Sequence, residues 1–154
     1  MTTMNGLIEA FAVPADPQLQ VPNLSAGQWA SLANFLSPVS LGESQIVFQR
    51  GREESSLYFL ESGKIAIHYE NAQGQLRMGL VGPGAVFGEA SFLGNMLRQA
   101  TAQSMAPGKA WVLTVLKFRE MLTRDSELAL KTIQIAASTL ARRSRDARKR
   151  RSIA

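Results

Sequence analysis

The sequence contains no cysteine and a single histidine, His68. Without cysteine there is no disulfide framework, no thiolate nucleophile and no Cys-ligated metal. One imidazole excludes a multi-histidine metal centre and leaves a serine–histidine–aspartate triad only one candidate base. A metalloenzyme on a histidine-lined barrel is set aside on the same ground. Long apolar runs are also missing: no window approaches eighteen uninterrupted apolar residues, so no membrane span is expected. The opening stretch MTTMNGLIEAFAVPAD has neither a basic start nor a long apolar segment. No signal peptide is expected, and the expected location is cytoplasmic.

What is present is enough for one core. Of the 154 residues, 45% are hydrophobic, a composition that argues against wholesale disorder and for one compact domain with an appended helix. The net charge of +5 is unevenly placed. Residues 142–151 read RRSRDARKRR, seven cations and one aspartate, which more than account for the whole excess. The rest of the chain is close to neutral, so a basic tail rather than a basic domain face is the electrostatic feature. That tail has three readings: a solvated helix end complementing the macrodipole, a nucleic-acid contact, or a contact with another anionic partner or surface. No aromatic is interleaved with the arginines, so base stacking is not indicated.

Residues 1–24, with Pro14, Pro17 and Pro22, predict an irregular arm carrying a short helix near Leu7–Phe11. Ser25 and Gln28 have capping-box spacing. Trp29, Leu32, Ala33, Phe35 and Leu36 then form an apolar stripe of helical period that ends at Ser37-Pro38. From Val39 the pattern changes to short runs rich in β-branched and aromatic residues. These are Ile46–Phe48, Leu57–Leu60, Lys64–Tyr69, Leu76–Val81 and Ala110–Leu116, separated by glycine turn signals that include Gly63, Gly74, Gly82-Pro83-Gly84 and Pro107-Gly108. Many short strands at regular spacing predict a roll, sandwich or barrel over residues 25–125. The helical period returns at Lys117, with a short helix through Phe118, Met121 and Leu122. A last helix, capped by Asp125 or Ser126, runs from about Glu127 toward residue 150. Within the C-terminal segment 126–154, Leu130, Ile133, Ala137 and Leu140 repeat at spacings of 3, 4 and 3. That is a coiled-coil-like seam two heptads long; the competing reading is a stripe that packs on the sheet.

The chemistry concentrates in Gly82-Pro83-Gly84-Ala85-Val86-Phe87-Gly88-Glu89-Ala90-Ser91-Phe92-Leu93, followed by Arg98-Gln99-Ala100-Thr101. Gly88 permits a sharp strand-to-helix turn with close backbone approach to a ligand. Free N–H groups at a helix start favour an anion. Arg98, after a turn at Gly94-Asn95, can fold back over the same spot, and its planar fork suits a phosphate diester. Glu89 beside an anion needs a donor, and a ribose hydroxyl is one. An anion site next to a hydroxyl-accepting carboxylate describes a ribose cyclic phosphate.

These residues resemble the cyclic nucleotide-binding domain family, the module of catabolite activator-type regulators, protein kinase A regulatory subunits and nucleotide-gated channels. The family's phosphate-binding cassette, F-G-E-x-A-L followed by R-x-A, is matched by Phe87-Gly88-Glu89 and Arg98-Gln99-Ala100, with the usual eight residues between Glu and Arg. The resemblance extends through Val47–Gly51, Leu57–Gly63 and Val81–Gly84, and covers about Ser25 to Leu140. It implies an α+β fold: a cupin-like β-roll flanked by an N-terminal helix and a C-terminal helical pair that ends in a long basic helix. It implies that Glu89 binds the ribose 2′-hydroxyl and Arg98 the phosphate. Gly88 shapes the turn, backbone amides of Ala90, Gln99 and Ala100 add donors, and Ile67 and Met78 wall the base. The ligand is then cAMP or cGMP, with cAMP favoured, and no metal and no catalysis are involved.

Three positions depart from the family pattern. Ser91 replaces a small apolar residue of the cassette helix. Leu97 stands where proline is common, and Gln99 where serine, threonine or alanine usually follows the arginine; a hydroxyl there can touch the phosphate, or guanine in cGMP-selective domains. The resemblance also leads one to expect a helix-turn-helix after the long helix, and the sequence given ends at Ala154. The expectation is therefore a stand-alone sensor, a homodimer through the last helix, acting on a separate effector. The alternative is a drifted, ligand-independent module that binds a protein or nucleic acid through its basic tail.

Overall fold

The computed structural model describes residues 3–12 and 23–153, with side chains to Ser144. The prolines of the expected arm and the basic tail from Arg145 onward lie outside the described side chains. The elements, in order, are α1 (Asn5–Phe11), α2 (Ala26–Leu32), β1 (Ser37–Leu41), β2 (Ile46–Phe48), β3 (Leu57–Glu70), β4 (Leu76–Val81), β5 (Val86–Phe87), α3 (Glu89–Gly94), β6 (Thr101–Leu113), α4 (Val115–Arg124) and α5 (Ser126–Ile153). The sheet is antiparallel, with path β1-β6-β3-β4, β2 added on β6 and β5 on β3. This is the expected jelly-roll-like β-roll between N- and C-terminal helices.

Local signals account for most boundaries. Ser25 and Gln28 close a reciprocal capping box at the start of α2. Thr114 accepts from the Lys117 amide and starts α4 two residues before the expected point, at the end of β6. Asp125 Oδ1 accepts from the Leu128 amide at the start of α5.

The middle of the sheet differs from the expected strands. The runs Leu57–Leu60 and Lys64–Tyr69 are one strand, and Pro107-Gly108 lies inside β6 rather than in a turn. Both long strands bend together, and their pairing shifts register between Leu60 and Ile65. Gly63, at φ 94°, allows this: a Cβ there would lie 3.2 Å from Gly108 Cα and 3.3 Å from the Ala106 carbonyl oxygen. The glycines mark a bulge where two backbones meet, not a chain reversal. β1, absent from the expected runs, is an edge strand, and an edge tolerates its Pro38.

The bent sheet has two cores. Leu57 and Phe59 of β3 face the helices, with Leu7, Leu32, Leu113 and Leu128. Tyr58 and Leu60 face the interior of the roll, with Phe48, Ile65, Val81 and Phe87. Burial on both faces explains why this strand reads as an unbroken apolar run. Phe92 packs edge-on against Phe118, and the Trp111 indole donates to Glu61 at 2.9 Å.

α5 has two distinct faces. Leu128, Ala129, Thr132, Ile135, Ala136 and Thr139 are buried against the domain. The Thr132 and Thr139 hydroxyls are satisfied by the carbonyls of Leu128 and Ile135 at 2.9 and 3.2 Å. Leu130 and Leu140 remain 55% and 42% exposed, with Ala137 exposed and Ile133 half-buried between them. The reading in which that seam packs on the sheet is thereby corrected: the stripe that packs is offset from it, and the seam faces outward. Truncating Leu128 to alanine should cost about 2–5 kcal/mol of stability, whereas Leu116→Ala on the exposed face of α4 should stay within about 0.5 kcal/mol. Denaturant unfolding of the two variants checks the assignment of faces.

Candidate functional site

The cassette begins where β5 ends. Gly88 adopts φ 81°, a left-handed conformation, and serves as N-cap of α3. A Cβ on Gly88 would lie 2.6 Å from Arg98 Nη1 and 2.9 Å from the Ser56 carbonyl oxygen. Glycine is required twice over, by backbone conformation and by the guanidinium packed against it.

Arg98 is only 2% exposed, and its backbone is clamped to the loop after β2. Its amide donates to the Arg52 carbonyl at 3.0 Å, and its carbonyl accepts from the Gly51 amide at 2.8 Å. The side chain uses every donor it has. Nε donates to Glu54 Oε2 at 2.9 Å, and Nη2 donates to the same oxygen and to the Ser56 carbonyl at 2.7 Å. Nη1 donates to the Gly88 carbonyl at 2.9 Å and to Ser91 Oγ at 2.6 Å. A guanidinium has five N–H groups, and all five are engaged. The Phe48 ring covers its face, 3.8 Å from centroid to Cζ. Burial pushes the phenol of neighbouring Tyr58 above its ordinary value; the Glu54 carboxylate adds to that rise and Arg98 opposes it.

Glu89 opens α3 and is 3% exposed. Its Oε1 accepts an ion-paired hydrogen bond from Arg143 Nη1, while Arg143 Nη2 donates to the Val86 carbonyl at 3.3 Å. Oε2 of Glu89 is buried and has no partner among the described residues. A buried carboxylate oxygen without a donor is costly, and a hydroxyl of a bound molecule would supply one.

Gly88, Glu89, Ala90, Arg98, Gln99 and Ala100 thus lie together around α3 and the start of β6. Gln99 is exposed and folds back, its Nε2 donating to the Leu97 carbonyl at 2.8 Å. Ile67 packs against the roll interior. Met78 does not join it: Ile67 is opposite Gly79 and Met78 is opposite His68. Paired residues share a face and successive residues alternate, so Met78 points to the other side of β4 and is 53% exposed. The two residues expected to wall the base together therefore lie on opposite faces of the sheet.

Two residues of the site have no distinguishing sequence signal. Glu54 carried no motif. Arg143 was one cation among seven, although it continues the buried stripe Thr132, Ile135, Thr139 by one further turn. No group of three or more potential metal ligands occurs among the described residues, and no described helix is long and apolar enough to cross a membrane.

Residues 38–125 match the cyclic nucleotide-binding domain family. The chain belongs to that family. The fold is shared with a cyclic nucleotide-binding domain from Methylobacillus flagellatus (TM-score 0.81, 17% identity, 96% of this chain and 81% of that one). It is also similar to the catabolite activator protein of Thermus thermophilus (TM-score 0.69, 25% identity, 84% and 60%). In sequence, the chain is 28% identical over 115 residues to a protein of Rhodopseudomonas palustris named for potassium channels, 73% of this chain and 27% of the other. It therefore spans about a quarter of that relative's length. The domain matched over residues 38–125 is a regulatory ligand-binding module rather than a catalytic one.

Gly88→Ala should lower stability by about 1–3 kcal/mol through backbone strain, with a further loss from displacing the Arg98 side chain. Thermal melting, with Gly82→Ala as the open-space control, measures it.

Proposed function

We propose that this domain binds a cyclic mononucleotide, cAMP in preference to cGMP, and signals through α5 to a separate effector in the cytoplasm. The observation that carries this reading is Glu89. One of its oxygens is tied to Arg143 of α5 and the other is buried without a donor among the described residues. A ribose hydroxyl on the free oxygen would satisfy the carboxylate and strengthen the docked position of the helix. Binding would then select one orientation of α5, a shift of population no larger than the ligand's preference between orientations. Arg98 would take the phosphate, with amides of Ala90, Gln99 and Ala100 beside it, and Ile67 would border the base. The preference for cAMP is supported by Gln99. The position after the arginine offers no hydroxyl to a guanine, and its amide is engaged by the Leu97 carbonyl.

Calorimetry with cAMP and cGMP tests the reading. Glu89→Gln should weaken cAMP binding by about tenfold to a hundredfold, the worth of a hydrogen bond to a charged group. Arg143→Ala should remove the ligand-induced slowing of hydrogen exchange in α5. Protection of α5 by cAMP that persists in Arg143→Ala would place the transmission elsewhere.

We also propose that two copies pair through the outward seam Leu130, Ile133, Ala137 and Leu140. An exposed apolar stripe at 3-4-3 spacing on a long helix suits a parallel partner helix. Leu130→Lys with Leu140→Lys should convert a dimer to a monomer by light scattering without lowering the helical content. A dimer that persists in the double variant would exclude this face.

One observation favours the second reading, a ligand-independent interaction module: every N–H of Arg98 already has a protein acceptor. In that case neither nucleotide shifts the melting temperature.

A further inference from the structure

The phosphate position assigned to Arg98 is filled by this chain itself. The Nε–Nη2 edge of a guanidinium is the edge that grips a carboxylate or phosphate with two parallel hydrogen bonds. Here that edge is held by Glu54 Oε2, while Oε1 of the same carboxylate accepts from the Ser56 amide at 2.8 Å. The remaining three donors point to the Ser56 and Gly88 carbonyls and to Ser91 Oγ. Two of these acceptors are backbone and the third is buried, so none can readily leave. Glu54 differs. Its side chain is 34% exposed, it sits in the loop between β2 and β3, and it lines an open cleft of about 560 Å³ with Glu53, Asn95, Met96 and Leu97. It is the one partner of Arg98 with somewhere to go.

Resting on the reading of Arg98 as the phosphate ligand, we propose that Glu54 is a built-in competitor for the ligand's phosphate, an acidic plug that must leave the Nε–Nη2 edge before the nucleotide is gripped. The apparent affinity is then the intrinsic affinity multiplied by the fraction of molecules in which Glu54 has released Arg98. Ser91 belongs to the same device. By accepting from Nη1 it holds the guanidinium in the plane where the Glu54 edge faces outward, which gives a reason for a hydroxyl in place of the family's small apolar residue. Exchange of one anion for another on the same arginine also keeps the buried cation paired at both end points, and an unpaired buried charge is the costly alternative.

The test is calorimetry with cAMP alongside thermal melting in inorganic phosphate. Glu54→Gln keeps an acceptor oxygen for Arg98, so the fold survives, but removes the competing charge. It should bind cAMP at least tenfold more tightly than the wild type and should gain melting temperature with added phosphate, where the wild type gains little. Glu54→Asp, with the charge withdrawn by one methylene, should fall between the two. Glu53→Gln removes the same charge from the same loop without touching Arg98, and should stay within twofold of the wild type. If the wild type binds cAMP and Glu54→Gln binds equally or more weakly, the plug is overturned and the binding reading stands. If Glu53→Gln tightens binding as much as Glu54→Gln, the effect is general electrostatics and the plug is likewise overturned. If no variant binds cAMP but Glu54→Gln alone is stabilised by phosphate, the plug stands and the nucleotide reading falls. If Glu54→Gln neither binds cAMP nor responds to phosphate, both fall.

Discussion

A single buried guanidinium organises the cassette. Arg98 cannot be taken out of water unless its charge and all five donors are met. The structure meets them with groups from three segments: the loop before β3, the turn into α3, and α3 itself. Phe48 from β2 closes the face of the same group. Gly88 has no side chain because the guanidinium occupies the space one would need. Removing the arginine would therefore loosen four elements at once, and any ligand that bonds to it acts on all of them.

The second ionic contact has a different character. Glu89 and Arg143 join the cassette to α5 across 54 positions of sequence, with the carboxylate buried and the arginine partly exposed. A contact anchored on one side and solvent-accessible on the other can be made and broken by a helix that pivots. The rest of the inner face of α5 is held by Leu128, Ile135 and other apolar contacts. The outward seam runs along the opposite side of the same helix. One element thus presents one face to the cassette and another to solvent.

Much of this was legible in the chain. The capping box at Ser25, the cap at Asp125, the runs at Ile46–Phe48 and Leu76–Val81, and the cassette around Gly88 are local patterns, and each was found where its pattern lay. The failures share one cause. Gly63 and Pro107-Gly108 have the composition of turns, yet they form a bulge because two long strands bend against each other at that point. Met78 is apolar like Ile67, yet pairing with His68 puts it on the opposite face. A one-residue step in register reverses which side a strand residue serves, and register is not written in the strand itself.

The amino-acid order alone determined the family, the glycine turn, the eight-residue gap between Glu89 and Arg98, and the helical periods at both ends. These rest on conformational preferences and spacings that span a few residues. Only the folded chain decided which acids and bases meet. Glu54 is 44 positions from Arg98, and Arg143 had no feature to distinguish it from its basic neighbours except its place on the buried side of α5. Ion pairing depends on distance through space and on the loss of water around the partners, and both quantities come into being only when the sheet bends and the helices pack on it.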